Sequence, residues 1–173
     1  MPTNLYGAGD NYSDEASHVM ASLLKKFILA KRNNYEKVVC WGTGKPLREF
    51  LNVDDFGDAC VKALEKWDPD SENAPKDQNG EKLLFLNVGS GEEISIKDLA
   101  NKIALFTNYE GSIIWDKEKP DGTFRKKLDS SRFKFTGWKP KINLDQGIRC
   151  SIHDIESSLN NVSEQGQNLK NFI

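Results

Sequence analysis

The chain has 173 residues, with 24 Lys and Arg against 26 Asp and Glu and a formal net charge of −2. That length suits one domain with a real core or part of a larger one, and the slight acidity argues against a general nucleic-acid binder. Hydrophobic residues make up 38% of the chain, no apolar run approaches the ~20 residues of a membrane span, and Met1 onward lacks the charged-then-apolar pattern of a signal peptide. Cys40, Cys60 and Cys150 are too scattered for a disulfide framework or a zinc site. Each sits among core-like neighbours, which predicts buried thiols in a reducing, cytoplasmic setting.

Met1 to Gly7 reads as the end of a buried strand entering a Gly-marked loop. Open α/β sheets present ligand-binding groups at such strand ends, so Thr3 and Asn4 are candidates to reach a ligand; an Asn-stabilised turn is the plainer alternative. Ser17 has the chemistry of an N-cap for a helix from His18 to about Lys31. Val19, Met20, Leu23, Leu24, Phe27 and Ile28 form its apolar stripe. His18, Ser22 and Lys26 recur every four residues, which places His18 and Lys26 on one side roughly 12 Å apart. That spacing suits two parts of an extended ligand better than one metal ion. Taken singly, His18 reads as a helix-start hydrogen-bonding residue and Lys26 as a solvated charge.

The stretch from Trp41 to Asp55 organises the chain. A Gly-rich turn with Pro46 separates two strand-like runs, Val38 to Trp41 and Leu47 to Leu51, and the second passes into a helix near Asp54. Asp54 and Asp55 suit the first turn of that helix. Arg48, flanked by Leu47 and Phe50, needs an anion: a carboxylate or phosphate ligand, or a structural salt bridge to Glu49 or Asp55. The helix to Trp67 carries Phe56, Ala59, Cys60, Ala63 and Leu64 as its core face, which makes Cys60 a small buried hydrophobe. Asp68 to Lys82 is a polar surface loop.

Leu83 to Val88 reads as a buried strand closed by Gly89-Ser90-Gly91, and Ser95 to Asp98 as a capping-box helix start. Ile96, Leu99, Ile103 and Phe106 give that helix its apolar face, and Ser112 to Trp115 makes another short strand. Short strands alternating with amphipathic helices indicate the α/β class. Lys117 to Lys127 combines a Pro-Asp-Gly turn with the cations Arg125, Lys126 and Lys127, a local basic cluster suited to an anion such as phosphate or to a solvated surface. Asn143 caps a final helix with Leu144, Ile148, Ile152, Ile155 and Leu159 inside. From Asn160 on, the chain turns polar, and the reading divides it into an α/β domain at 1–160 and a frayed tail at 161–173.

At these residues the chain resembles the GDP-L-fucose synthases, extended short-chain dehydrogenase/reductases that act on nucleotide sugars. The matching motifs are Pro2-Thr3-Asn4-Leu5-Tyr6-Gly7, Asp10-Asn11, Ser17-His18-Val19, Val39-Cys40-Trp41-Gly42-Thr43-Gly44 and Arg48-Glu49-Phe50-Leu51 with Val53-Asp54-Asp55. They continue as Asn87-Val88-Gly89-Ser90-Gly91, Lys119-Pro120-Asp121-Gly122-Thr123 with Arg125 and Lys126, and Gly137-Trp138, so the resemblance runs from Met1 to about Ser158. Many nucleotide-sugar epimerases share the Arg-Glu-Phe and Asn-x-Gly-x-Gly pieces; the Ser-His-Val start with the Lys-Pro-Asp-Gly-Thr loop is more specific.

The resemblance implies the C-terminal, substrate-binding half of such an enzyme. No Gly-rich dinucleotide turn and no Tyr-x-x-x-Lys pair occurs here, so the N-terminal Rossmann half is an expected partner and the isolated chain is expected to be inactive. The first ~10 residues, separated from sheet neighbours, are expected to be unpaired and prone to association. By resemblance, Pro2, Thr3, Asn4 and Leu5 contact the nicotinamide end of NADPH, and His18 assists proton transfer beside the cofactor. Lys26, Trp41, Arg48, Asp121 and Lys126 contact the GDP-sugar, with Arg48 at the diphosphate. The reaction implied is epimerisation and NADPH-dependent reduction of GDP-4-keto-6-deoxy-D-mannose, in a homodimer, with no metal. The rival readings are half of another nucleotide-sugar epimerase or dehydratase, and a non-catalytic binding module.

Overall fold

The computed structural model describes residues 1–13 and 17–164, with side chains described as far as residue 160. In chain order the elements are β1 (Asn4–Tyr6), α1 (Val19–Arg32), β2 (Lys37–Trp41), β3 (Leu47–Asn52), α2 (Val53–Lys66), β4 (Glu93–Ser95), α3 (Ile96–Phe106), β5 (Ser112–Asp116), β6 (Arg125–Lys126), a 3-10 turn at Ser131–Thr136 and α4 (Leu144–Glu164). β1 and β6 both run parallel to β3 and β4 runs antiparallel to it, while β2 and β5 form a separate parallel pair. This is the expected α/β architecture. The polar tail falls largely outside the described residues.

The main core lies among α1, α3 and α4, where Met20, Leu24, Phe27, Leu99, Ile103 and Ile148 are almost wholly buried. The apolar stripes expected of the first and last helices face this core. A smaller core gathers Leu51, Ala59, Leu86, Val88 and Phe133. Local signals set the helix starts. The Asn52 side chain accepts the Asp54 N–H at the start of α2, and Ser95 accepts the Asp98 N–H at the start of α3. Asn143 and Gln146 bond reciprocally at the start of α4. The cap of α1 is His18, not Ser17, and His18 makes no side-chain capping bond.

Four expectations are corrected. The opening segment is paired: β1 aligns Asn4, Leu5 and Tyr6 with Phe50, Leu51 and Asn52 of β3, and Tyr6 is buried. Leu83 to Val88 is not a strand but a single bridge of Val88 to Pro2, with Leu84 81% and Phe85 59% exposed. An apolar run becomes a strand only where ladder partners meet it, and here Val88 alone does so, exchanging bonds with Thr3 and Met1. Cys60 is exposed and so is Cys150; only Cys40 is buried. On α2 the inward face is fixed by Asp55, whose carboxylate accepts the N–H groups of Lys141 and Ile142. That choice turns Cys60 and Leu64 to the surface. Finally, Arg48 forms no salt bridge to Glu49 or Asp55, for a reason that belongs to the site.

Candidate functional site

The Gly42 to Pro46 turn links the two sheets and carries the site. Gly42 and Gly44 adopt φ of 78° and 73°, a region that L side chains rarely enter. Any Cβ on Gly42 would also collide with the Asp121 carboxylate, and one on Gly44 with the Trp115 ring. The close approach lets Asp121 accept two bonds from Thr43, 2.6 Å from its N–H and 2.7 Å from its hydroxyl. The Thr43 N–H, then the Thr43 hydroxyl and the nearby Lys45 charge, hold the Asp121 carboxyl below the usual carboxylate range. Asp121 is thus anchored onto the turn that begins immediately after Trp41.

Trp41 ends β2 with its side chain 63% exposed. The Nζ atoms of Lys26 and Lys119 lie 5.7 Å and 5.5 Å from its ring centroid, within cation–π range. Lys26 also donates to the Val39 carbonyl at 2.9 Å. Lys26, Ser22, Tyr35, Lys37, Val39 and Trp41 border a groove of about 360 Å³ between α1 and β2. Lys26 and Trp41 therefore meet, joined by Lys119, which belongs to the Lys119-Pro120-Asp121-Gly122-Thr123 motif but is assigned no ligand role there.

Arg48 is half-buried on β3, in register with Ile94 of β4 on one side and Lys126 of β6 on the other. Its Nη1 donates to the Leu47 carbonyl at 2.7 Å, and Gly122 lies beside its guanidinium. Strand alternation sends Glu49 to the opposite face. There the Glu49 carboxylate, wholly buried, accepts the N–H groups of Gly91 at 2.7 Å and Leu128 at 3.1 Å. Both acids expected to neutralise Arg48 are thus spent on backbone.

The basic cluster is divided in the same way. Glu93 takes Arg125 in a two-point pair at 2.7 and 2.5 Å and lies 3.6 Å from Lys127. Lys126, between them, is exposed and joins no ion pair among the described residues. Arg48 and Lys126 are thus two neighbouring cations without an ion-pair partner among the described residues, an arrangement that favours an anion between them.

The remaining candidates sit apart from this cluster. Thr3 Oγ1 and Asn4 Nδ2 both donate to the Glu49 carbonyl, at 3.1 and 2.7 Å, so their side chains serve β3. Pro2 bridges Val88, and Leu5 packs on the smaller core. His18 is exposed at the start of α1, so the predicted helical row begins at Ser22 instead. No group of His, Cys, Asp and Glu suited to a metal occurs among the described residues. No helix among them is long and apolar enough to cross a membrane.

Comparison with known proteins defines the class first. Residues 1–77 match the NAD dependent epimerase/dehydratase family. A solved GDP-L-fucose synthetase from Naegleria fowleri, bound to NADP, superimposes with a TM-score of 0.76 at 26% identity, covering 92% of this chain and 46% of that one. At the level of the particular protein, GDP-L-fucose synthase 1 of Arabidopsis thaliana is 46% identical over 148 residues, 86% of this chain and 42% of that protein. GDP-L-fucose synthase of Escherichia coli is 40% identical over the same length, covering 45% of that protein. The chain is similar to the C-terminal half of GDP-L-fucose synthases and spans about half the length of the curated relatives it matches.

Proposed function

We propose that this chain supplies the nucleotide-sugar-binding half of a GDP-L-fucose synthase. The overall reaction would be epimerisation and NADPH-dependent reduction of GDP-4-keto-6-deoxy-D-mannose to GDP-L-fucose. The observation that carries the reading is the pairing of Arg48 with Lys126 beside the Trp41 to Pro46 turn. Two cations on adjacent parallel strands meet the need of a diphosphate, the exposed Trp41 ring offers an aromatic face, and Asp121, fixed on Thr43, a carboxylate acceptor.

β1 pairs with β3 over Asn4–Tyr6, and just before it Val88 bridges Pro2 and takes the Thr3 N–H. By the resemblance, this strand end from Pro2 to Leu5, together with His18 exposed at the start of α1, would meet the nicotinamide end of NADPH. When bound, NADPH supplies the hydride. The chain's residues would hold and orient the two ligands, and the His18 imidazole would serve to move a proton beside the cofactor.

Because no Tyr-x-x-x-Lys occurs among the 173 residues, the chain by itself is expected to bind nucleotide without reducing the ketone. An N-terminal dinucleotide-binding half, a homodimeric assembly and a cytoplasmic location complete the proposal. Calorimetric titration of the purified chain with GDP and UDP tests it: the expected result is GDP binding with UDP weaker. Preference for UDP would overturn it in favour of another nucleotide-sugar epimerase.

A further inference from the structure

We propose that Glu49 is a positioning residue that sets Lys126 beside Arg48, building the anion clamp from inside the fold; this rests on the nucleotide-sugar reading above. Glu49 is the only wholly buried acid among the described residues, at 0% exposure. Acids are almost never so buried unless their oxygens are satisfied. One oxygen accepts Gly91 N–H at 2.7 Å and the other Leu128 N–H at 3.1 Å. Its main-chain carbonyl accepts the Thr3 hydroxyl and the Asn4 amide. One residue therefore joins the opening strand, the Gly89 to Gly91 loop and the segment that follows β6.

The consequence for the site is geometric. β6 is only two residues long, Arg125 and Lys126, too short to hold its register by ladder bonds alone. The bond to Leu128 fixes the chain two residues past Lys126, and the Glu93 pair with Arg125 fixes the residue before it. Lys126 is thereby held between two anchors, opposite Arg48. The packing is tight enough that a Cβ on Gly89 would collide with the Glu49 carboxylate. A buried carboxylate spent entirely on backbone donors is a means of placing a loop, while the cation next to it on β3 remains available for a ligand.

The test compares Glu49→Gln with wild type. Glutamine keeps the volume but offers one acceptor oxygen, so its NH2 must face an N–H of Gly91 or Leu128. Affinity for GDP and for inorganic pyrophosphate is expected to fall about tenfold, the scale of one lost buried acceptor. Ile103→Val, in the larger core, serves as a control for general destabilisation. At matched losses of Tm, a merely structural role moves both variants' affinities alike, whereas positioning weakens only Glu49→Gln.

If Glu49→Gln does not fold, Gly89→Ala displaces the same carboxylate and is read identically. Equal affinity in wild type and Glu49→Gln, an equal loss in Ile103→Val, or binding of neither probe to wild type overturns the proposal. Wild-type binding of pyrophosphate without GDP sinks the GDP reading alone, and Glu49 is then judged on pyrophosphate.

Discussion

The Asp121 carboxylate holds Thr43, 78 positions away in sequence, by its N–H and by its hydroxyl together. This contact docks the Pro120-Asp121-Gly122 turn on the glycine turn that follows Trp41, so the last third of the chain completes a site begun in the first third. Its pH dependence has a definite sign. Asp121's folded value is lowered, chiefly by the Thr43 N–H. The contact's stabilisation is therefore present above the unfolded pKa and is lost as pH falls through the folded one. The Thr43 amide proton should keep its bonded chemical shift at mildly acid pH and lose it only below the range in which an ordinary Asp titrates. In Thr43→Ala, which removes the hydroxyl but keeps the N–H, the transition should move upward in pH. A wild-type transition at the ordinary Asp value would refute the assignment.

The thiols should divide in native-state labelling. Cys60 and Cys150 are exposed, whereas Cys40 is buried and its pKa is raised by burial, against a lesser opposing pull from Lys26. A thiol reagent at neutral pH should modify two cysteines promptly and the third only on unfolding. Prompt reaction of all three would show that β2 opens readily.

Much of the fold was legible because it is local. The α1 and α4 stripes, the Ser95 and Asn143 caps and the passage from β3 into α2 each follow from residues within a few positions of one another. What was missed depends on partners distant in sequence. Asp55 reads as a dipole-favoured acid at a helix start, yet its bonds to Lys141 and Ile142 turn the helix and expose Cys60. Glu49 reads as a possible partner for its neighbour Arg48, yet alternation points it inward to Gly91 and Leu128. The same holds for the basic run: only the position of Glu93, 32 residues from Arg125, separates the neutralised cations from Lys126. In the site itself, Trp41 lies beside Lys26, Arg48 is in register with Lys126, and Asp121 bonds Thr43 of the glycine turn, pairings that no single motif spells out.

Gly147 should resist substitution although it lies inside a helix. A Cβ there would overlap the Tyr6 hydroxyl, and Tyr6 is buried with its pKa raised to about 12, mainly by desolvation. Gly147→Ala would gain about 1 kcal/mol of helix propensity but lose roughly 1–3 kcal/mol to overpacking. The expected result is a neutral to lower melting temperature, by up to a few degrees per kcal/mol. Tyr6→Phe in the same chain should recover part of the loss. A clear rise in melting temperature for Gly147→Ala alone would show that Tyr6 moves aside without cost.

Arg48 provides the sharpest separation of binding from structure. It has no acidic partner among the described residues and gives one bond to the Leu47 carbonyl, so removing its charge leaves no buried carboxylate uncompensated. Arg48→Ala should therefore change the melting temperature little while weakening GDP binding. A lost charge-assisted contact to a desolvated phosphate costs roughly 2–5 kcal/mol, and each ~1.4 kcal/mol is tenfold in affinity. The expected loss is about one to three orders of magnitude. Arg48→Lys should restore only part of it, since an ammonium keeps the charge but lacks the planar fork. Lys126→Ala should weaken GDP less, because its exposed ammonium is better screened, and the effects of the two changes should be less than additive if both cations grip one diphosphate. Calorimetric titration of GDP into wild type, the three single variants and Arg48→Ala with Lys126→Ala, with a melting curve for each, reads all of these quantities. Unchanged GDP affinity in Arg48→Ala, or full additivity in the double variant, would remove the pair as a shared anion clamp.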